Sequence, residues 1–337
     1  MKRWSWLLAA CPALAWADAV DVSLMPRAQV GKGLPSISIQ IREPIAGFEL
    51  KLHRSDGKDV LVRGGGRPGQ TRTIDLTQPE GTFKYSGTLG INLPRGETAS
   101  MPLEFEASLL GPLRIKVAPQ DVDVPGRKLK FTLNRVATRA HLRVLMDTGQ
   151  LAIDADIPLA SAQADAPVEL EWPEKQGRVL AIEVKAYDAE SFFDGVELSP
   201  WQVDIPHEEV NFDSGKWDIR KDQEARLQQS YQLISDAVEK YGRLADIKLY
   251  IAGHTDTVGS NADNRVLSLN RARSIGAYFR RAGLRIAIFY EGFGEEALLV
   301  ATPDNTDEAR NRRAEYIIAA QTPTVAHAPF APNWRKL

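Results

Sequence analysis

Asp256 and Arg271 stand fifteen positions apart (271 − 256), the first after Gly253-His254-Thr255 and the second after Leu267-Ser268 and before Ala272. A carboxylate and a guanidinium held on either side of a loop-to-helix junction can clamp a zwitterion. The carboxylate accepts from an ammonium, and the planar guanidinium grips a carboxylate through two parallel N–H donors, which Lys cannot do. Thr255 can add a backbone or hydroxyl group and Asn264 an amide contact, and Asn311-Arg312-Arg313 brings two further cations. One of those arginines reads as a structural pair near the site and the other as facing solvent. Taken alone, Asp256 could equally be a helix cap or an internal partner of Arg271, and Asn264 a helix cap.

Two opposite charges do not make a reaction centre. A hydrolase needs a nucleophile with a base in reach, or a metal held by several ligands. The five histidines, His53, His141, His207, His254 and His327, show neither HxxxH nor HxH spacing. Gly64-Gly65-Gly66 sits between strand-like runs and lacks the Lys-Ser/Thr of a phosphate loop. His254 reads as a structural, hydrogen-bonding histidine at a strand end, and Ser268 as a residue that caps or packs. The chain is therefore expected to be non-catalytic, with no cofactor and no metal site.

The elements that would carry these residues lie after Pro206. Leu227, Tyr231, Ile234, Val238 and Tyr241 are spaced 4, 3, 4, 3, an amphipathic helix that Gly242 stops. Ile247–Ile251 alternates like a strand. Residues 262–282 read as a second helix closed by Gly283. Ile286–Ile288 and the run toward Gly294 suggest another strand, 308–312 a short helical turn, and Arg313–Ile318 a last strand. Strands alternating with helices predict an α/β sandwich over residues 207–320. The three prolines among small residues after Gln321 predict a disordered tail over 321–337.

Before Pro206 the pattern is all-β. Ser36–Ile41, Phe48–Leu52, Leu113–Val117, Leu129–Leu133, Leu142–Leu145 and Val179–Val184 alternate with period two between Gly- and Pro-rich turns. Ser36–Leu52 with its turn Ser55-Asp56-Gly57 is echoed by Lys128–Leu145 with Asp147-Thr148-Gly149, at an offset of 92 (128 − 36). The repeat predicts two tandem immunoglobulin-like β-sandwiches, 18–118 and 119–206; one larger β-structure is the alternative. A membrane β-barrel would need strands of about 9–11 residues and aromatic girdles, and this region is poor in both. Phe192-Phe193 and Trp201 read as an adhesive patch or as core and interdomain packing.

The C-terminal third resembles the OmpA-like peptidoglycan-binding domain shared by OmpA proteins, the Pal lipoprotein and the stator protein MotB. The motifs that carry the resemblance are Asn211–Ile219, Gly253-His254-Thr255-Asp256 with Gly259, Asn264-x-x-Leu267-Ser268-x-x-Arg271-Ala272, Gly292-Phe293-Gly294-Glu295 and Asn311-Arg312-Arg313, in family order. Two positions depart from the pattern: Glu296-Ala297-Leu298 lacks the usual proline, and Asp263 replaces a Tyr. The resemblance implies that Asn211–Ile219 forms the first strand and its following loop. It also implies a site for the diaminopimelate of the peptidoglycan stem peptide: Asp256 on the ligand ammonium, Arg271 on its carboxylate, with Asn264, Thr255 and the loop residue Asp218 as further contacts.

Composition bounds the rest. The chain has 337 residues and a net charge of −2, without the basic surplus of a nucleic-acid binder. Residues 1–17 read as a signal peptide: Lys2-Arg3, a short apolar run, and Ala15-Trp16-Ala17 before the cut. Leu8-Ala9-Ala10-Cys11 also fits a lipidated cysteine, which leaves an outer-membrane lipoprotein open; otherwise the mature chain has no cysteine. The expectation is a periplasmic, possibly outer-membrane-associated envelope protein that binds peptidoglycan and presents its β-domains to a protein partner. The alternatives are an adaptor or adhesion protein working through its β-domains, and an outer-membrane porin with a wall-binding domain.

Overall fold

The computed structural model describes residues 19–94, 96–159 and 163–337; the expected signal peptide, with Cys11, lies outside them. The chain divides into two compact units, the residues through Arg114 with Ala189–Phe192, and Ile115–Asp188 with Phe193–Leu337. Among the described residues strands predominate, and helices are confined to the second unit.

The first unit consists of β1 (Val20–Met25), β2 (Arg27–Gln29), β3 (Ser36–Ile41), β4 (Gly47–Arg54), β5 (Asp59–Gly64), β6 (Thr71–Asp75), β7 (Gly81–Asn92) and β8 (Thr98–Leu110). One sheet runs β1-β3-β6, the other β2-β8-β7-β4-β5, with β2 parallel to β8. The alternation read in the sequence becomes a shared core. Ile37, Ile39 and Ile41 from one sheet meet Phe48, Leu50, Leu52, Tyr85, Leu89 and Ile91 from the other. Each such buried side chain contributes roughly 1.5–3 kcal/mol.

The second unit begins with β9 (Ile115–Lys116), β10 (Val122–Asp123), β11 (Lys128–Leu133), β12 (Arg139–Met146), β13 (Leu151–Pro158), β14 (Val168–Glu171), β15 (Val179–Tyr187) and β16 (Phe193–Leu198). These form a β10-β11-β14 sheet, to which β9 adds on β11, and a β13-β12-β15-β16 sheet. The repeat holds at the level of elements. β11 and β12 start and end 92 residues after β3 and β4 (128 − 36, 133 − 41, 139 − 47, 146 − 54). All four sheets are open and their inner faces are filled with side chains, so these strands do not build the closed barrel of the porin alternative.

The unit continues with β17 (Gln202–Asp204), α1 (Glu224–Tyr241), β18 (Lys248–His254), α2 (Asn261–Ala282), β19 (Ile288–Gly294), β20 (Ala314–Ala319) and β21 (Arg335–Lys336), in a sheet ordered β17-β20-β18-β19-β21. α1 buries Leu227, Ile234 and Tyr241, seven residues apart on one face. α2 starts at the cap Ser260, whose side chain accepts from the Asp263 amide, and ends at Gly283 with φ 113°. Both helices pack on the face carrying Leu249, Ile251, Ile288, Tyr316 and Ile318.

Three expectations change. The boundary at 206/207 is not a break in the fold, because Leu145, Leu180, Ala181 and Trp201 share one core with Leu227, Tyr241 and Leu249. Trp201 is thus packing, whereas Phe193 is 56% exposed. Asn211–Ile219 is a loop; the edge strand is the earlier β17, and Phe212 and Ile219 pack on the core without pairing. The tail 321–337 is ordered: Val325, Phe330 and Trp334 cover the sheet face opposite the helices, against Tyr250, Phe293 and Ile317, and β21 pairs with β19. Trp334 lies 5.1 Å from Tyr250 and Phe330 5.5 Å from Phe293, ring centre to ring centre. An uncovered apolar sheet face outweighs the proline content of the segment.

Candidate functional site

The site is assembled where β18 and β19 meet the N-terminal half of α2. Two glycines allow the approach. A Cβ on Gly253 would lie 2.3 Å from the Ser268 carbonyl oxygen, and one on Gly292 2.3 Å from the Leu269 nitrogen. Ser268 is committed to this packing, accepting from the Gly294 amide at 2.9 Å and donating to the Arg265 carbonyl at 3.0 Å. Its hydroxyl packs, as read.

Asn264 is buried, and its amide holds the loop that carries Asp256. It donates to the carbonyls of Asp256 (3.3 Å) and Val258 (3.1 Å) and to the Glu295 carboxylate (2.6 Å). The N-cap is Ser260, so Asn264 is a staple rather than a cap. Thr255 is also buried; its amide donates to the Gly294 carbonyl at 2.9 Å, and its hydroxyl has no partner. Thr257 ties the same loop to 303–306, donating to the Pro303 carbonyl at 2.7 Å.

Asp256 therefore sits on a braced loop, its side chain 10% exposed. One carboxylate oxygen accepts from the Val258 amide at 3.3 Å, the other from Arg312 at 2.5 Å. Arg312 also reaches Asp307, and these two carboxylates raise its pKa. Arg271 does not pair with Asp256. Its Nε donates to the Lys216 carbonyl at 3.0 Å and Nη2 to the Asp213 carbonyl at 3.3 Å, and it stands 5.0 Å from the Phe212 ring centre. Burial lowers the Arg271 pKa, the Arg312 charge lowers it further, and Asp256 opposes both. The three groups thus feel one another's charge, while Nη1 of Arg271 makes no protein hydrogen bond among the described residues.

Asp256, Thr255 and Asn264 share one loop–helix junction, with Arg271 on the same helix as Asn264. Asp218 is exposed, two residues beyond Lys216, whose carbonyl holds Arg271. Arg312 is the residue the site assignment omitted; the Asn-Arg-Arg motif was the signal for it. Arg313 does not face solvent: it is buried and bonds Glu315 at 2.7 Å and the Ala297 carbonyl at 3.2 Å. His254 is structural. Its ring lies 5.2 Å from that of Phe293, and its Nε2 stands 3.5 Å from the Glu315 carboxylate. Burial, with the nearby Arg313 charge, holds its pKa well below the usual range, so the ring is neutral.

The site thus joins a braced acidic loop to an arginine on the helix that follows it. Residues 211–312 match the OmpA family, and the chain carries an OmpA-family domain there. Similar curated proteins include "Outer membrane protein A" of Bordetella avium, 37% identical over 24% of this chain and 42% of that protein. Another is "Outer-membrane lipoprotein YfiB" of Pseudomonas aeruginosa, 35% identical over 22% of this chain and 45% of that protein. The chain spans less than half the length of each. Among solved structures, the peptidoglycan-associated lipoprotein from Burkholderia pseudomallei is 23% identical, covering 33% of this chain and 88% of that one with a TM-score of 0.27.

Proposed function

We propose that this is a non-catalytic protein of the cell envelope, periplasmic or outer-membrane associated, that holds peptidoglycan through residues 207–320. Diaminopimelate of the stem peptide is the ligand. Asp256 takes its ammonium, exchanging part of the Arg312 contact for it. Arg271 takes its carboxylate through the guanidinium edge that includes Nη1. Thr255 contributes its unpartnered hydroxyl, and Asp218 closes the rim. Asn264 acts by holding the Asp256 loop in place. The observation that carries this reading is that Asp256 and Arg271, inside the family match, are braced from behind and not paired with each other.

The β-regions serve a protein partner in this reading. The 3-plus-5 sheet arrangement with β2 parallel to β8 supports an immunoglobulin-like assignment for the first, and the 92-residue repeat extends it to the second. Co-sedimentation with purified sacculi tests the wall-binding claim. The wild type pellets with them; Asp256→Ala and Arg271→Ala stay in the supernatant. Retention of both variants by the sacculi would sink the assigned clamp.

A further inference from the structure

The loop that grips Arg271 carries a side chain the clamp does not use. Trp217 is 44% exposed, whereas Trp172 and Trp201 are 4% and 3% exposed. The loop around it is anchored at both ends. The Asn211 amide donates to Gln223 at 3.0 Å, Arg220 forks onto Asp222 at 3.0 and 2.6 Å, and the Lys216 amide closes a turn onto the Asp213 carbonyl at 3.0 Å. Phe212 and Ile219, on either side of Trp217, pack on the core. Trp217 alone of the three is left outside, next to the Lys216 carbonyl that accepts from Arg271. Val258, 45% exposed, adjoins the other charge through its amide on Asp256. An exposed apolar side chain therefore stands beside each member of the charged pair, among the charged residues of the two loops.

We propose that Trp217 is a second subsite, an aromatic plate for the sugar ring to which the clamped stem peptide is joined; this rests on the wall-binding reading above. A sugar ring presents a face of C–H groups and needs no counter-charge, so an indole suits it where a further ion pair would not. The reach agrees. Two residues separate the clamped amino acid from the sugar linkage, about 7 Å at roughly 3.3–3.6 Å per residue. Trp217 begins one peptide unit, about 3.8 Å, from the residue that touches Arg271, and its side chain extends beyond that. The clamp would then choose the peptide, and Trp217 would favour peptide that is still attached to the glycan.

The test is calorimetric binding of the full chain to two probes, a disaccharide-linked stem peptide containing diaminopimelate and the same peptide with the sugar removed. The wild type should prefer the sugar-linked probe by about fivefold to tenfold, the scale of one aromatic contact. Trp217→Ala should abolish that preference and leave the free-peptide affinity unchanged, and Trp217→Tyr should keep most of it. Equal affinity of the wild type for both probes, or a preference that survives Trp217→Ala, overturns the proposal. So does an equal loss for both probes in Trp217→Ala, which would make Trp217 a loop-holding residue only. Failure of the underlying reading looks different: Asp256→Ala would then bind the free peptide as the wild type does.

Discussion

The first and second β-regions are laid out on the same frame and end in opposite ways. His53 near the end of β4 and Leu145 near the end of β12 are equivalent positions (145 − 53 = 92). His53 is paired across the sheet with Ser86 and bonds Asp59 in solvent at 2.7 Å. Leu145 is paired with Ala181; both are 8% exposed and sit in the core shared with α1 and β18. The turn that follows diverges in the same sense. Asp56 pairs with Arg54 on its own strand. Asp147 accepts from the Arg178 amide and guanidinium and from the Trp201 indole, joining β12 to the approach to β17. The comparison teaches that a few outward-facing residues at one strand end decide whether a two-sheet layer stands as its own unit or becomes part of a larger one.

The substitution that breaks this comparison hardest is Leu145→Asp. It places an unpaired charge in the shared core, at a cost of several kcal/mol. Calorimetry should show the second unit's transition lost or strongly lowered while the first unit melts unchanged; Leu145→Ala should cost about 2–5 kcal/mol in the same transition. Two independent transitions for residues 115–206 and 207–337 in the wild type would refute the shared core.

Acid should next separate the units. The depressed His254 pKa means that the unfolded chain takes up this proton first. The second unit therefore loses stability as pH falls below about 6.5, by at most about 1.4 kcal/mol per pH unit. His254→Phe, which keeps the stack on Phe293, should flatten that part of a stability–pH curve, and the first unit should not respond.

A smaller effect is expected at Asp147. Burial pushes its pKa up, but the bonds from Arg178 and Trp201 outweigh this and hold it below the usual value. Its stabilisation is present above about pH 3.9 and is lost as pH falls through the lower folded value. Asp147→Asn should cost about 1–3 kcal/mol at neutral pH, measured by denaturant unfolding of the second unit. His53→Ala, the exposed counterpart of Leu145, should change the first unit by no more than about 0.5 kcal/mol.

Much of this was legible in the residues. Period-two runs located β3, β4, β11, β12 and β15; the 4-3-4-3 spacing located α1; Gly283 marked the end of α2; and the ordered motifs marked the loop of Asp256 and the helix of Arg271. What escaped was tertiary. β17 is three residues long and lies at a sheet edge, too short to show a period. The strand expected at the start of Asn211–Ile219 rests on the resemblance alone; Phe212 and Ile219 pack on the core without pairing. Arg312 reaches Asp256 across 56 positions, and nothing local records that contact. Leu145 looks like any strand residue until the surface it faces is known. The tail was judged on its prolines, when Phe330 and Trp334 were the informative residues.

Sheet closure by β21 has a consequence in time. β19 ends at Gly294 and its outer partner begins at Arg335, 41 residues later (335 − 294). At a synthesis rate of about 5–20 residues per second, that interval lasts roughly 2–8 seconds. Throughout it, one edge of the sheet and the aromatic face around Tyr250 and Phe293 stand open. An open strand edge is a template for pairing with the wrong chain. A chain that folds before its last residues have docked is therefore open to pairing with another chain at Phe289 and Tyr290.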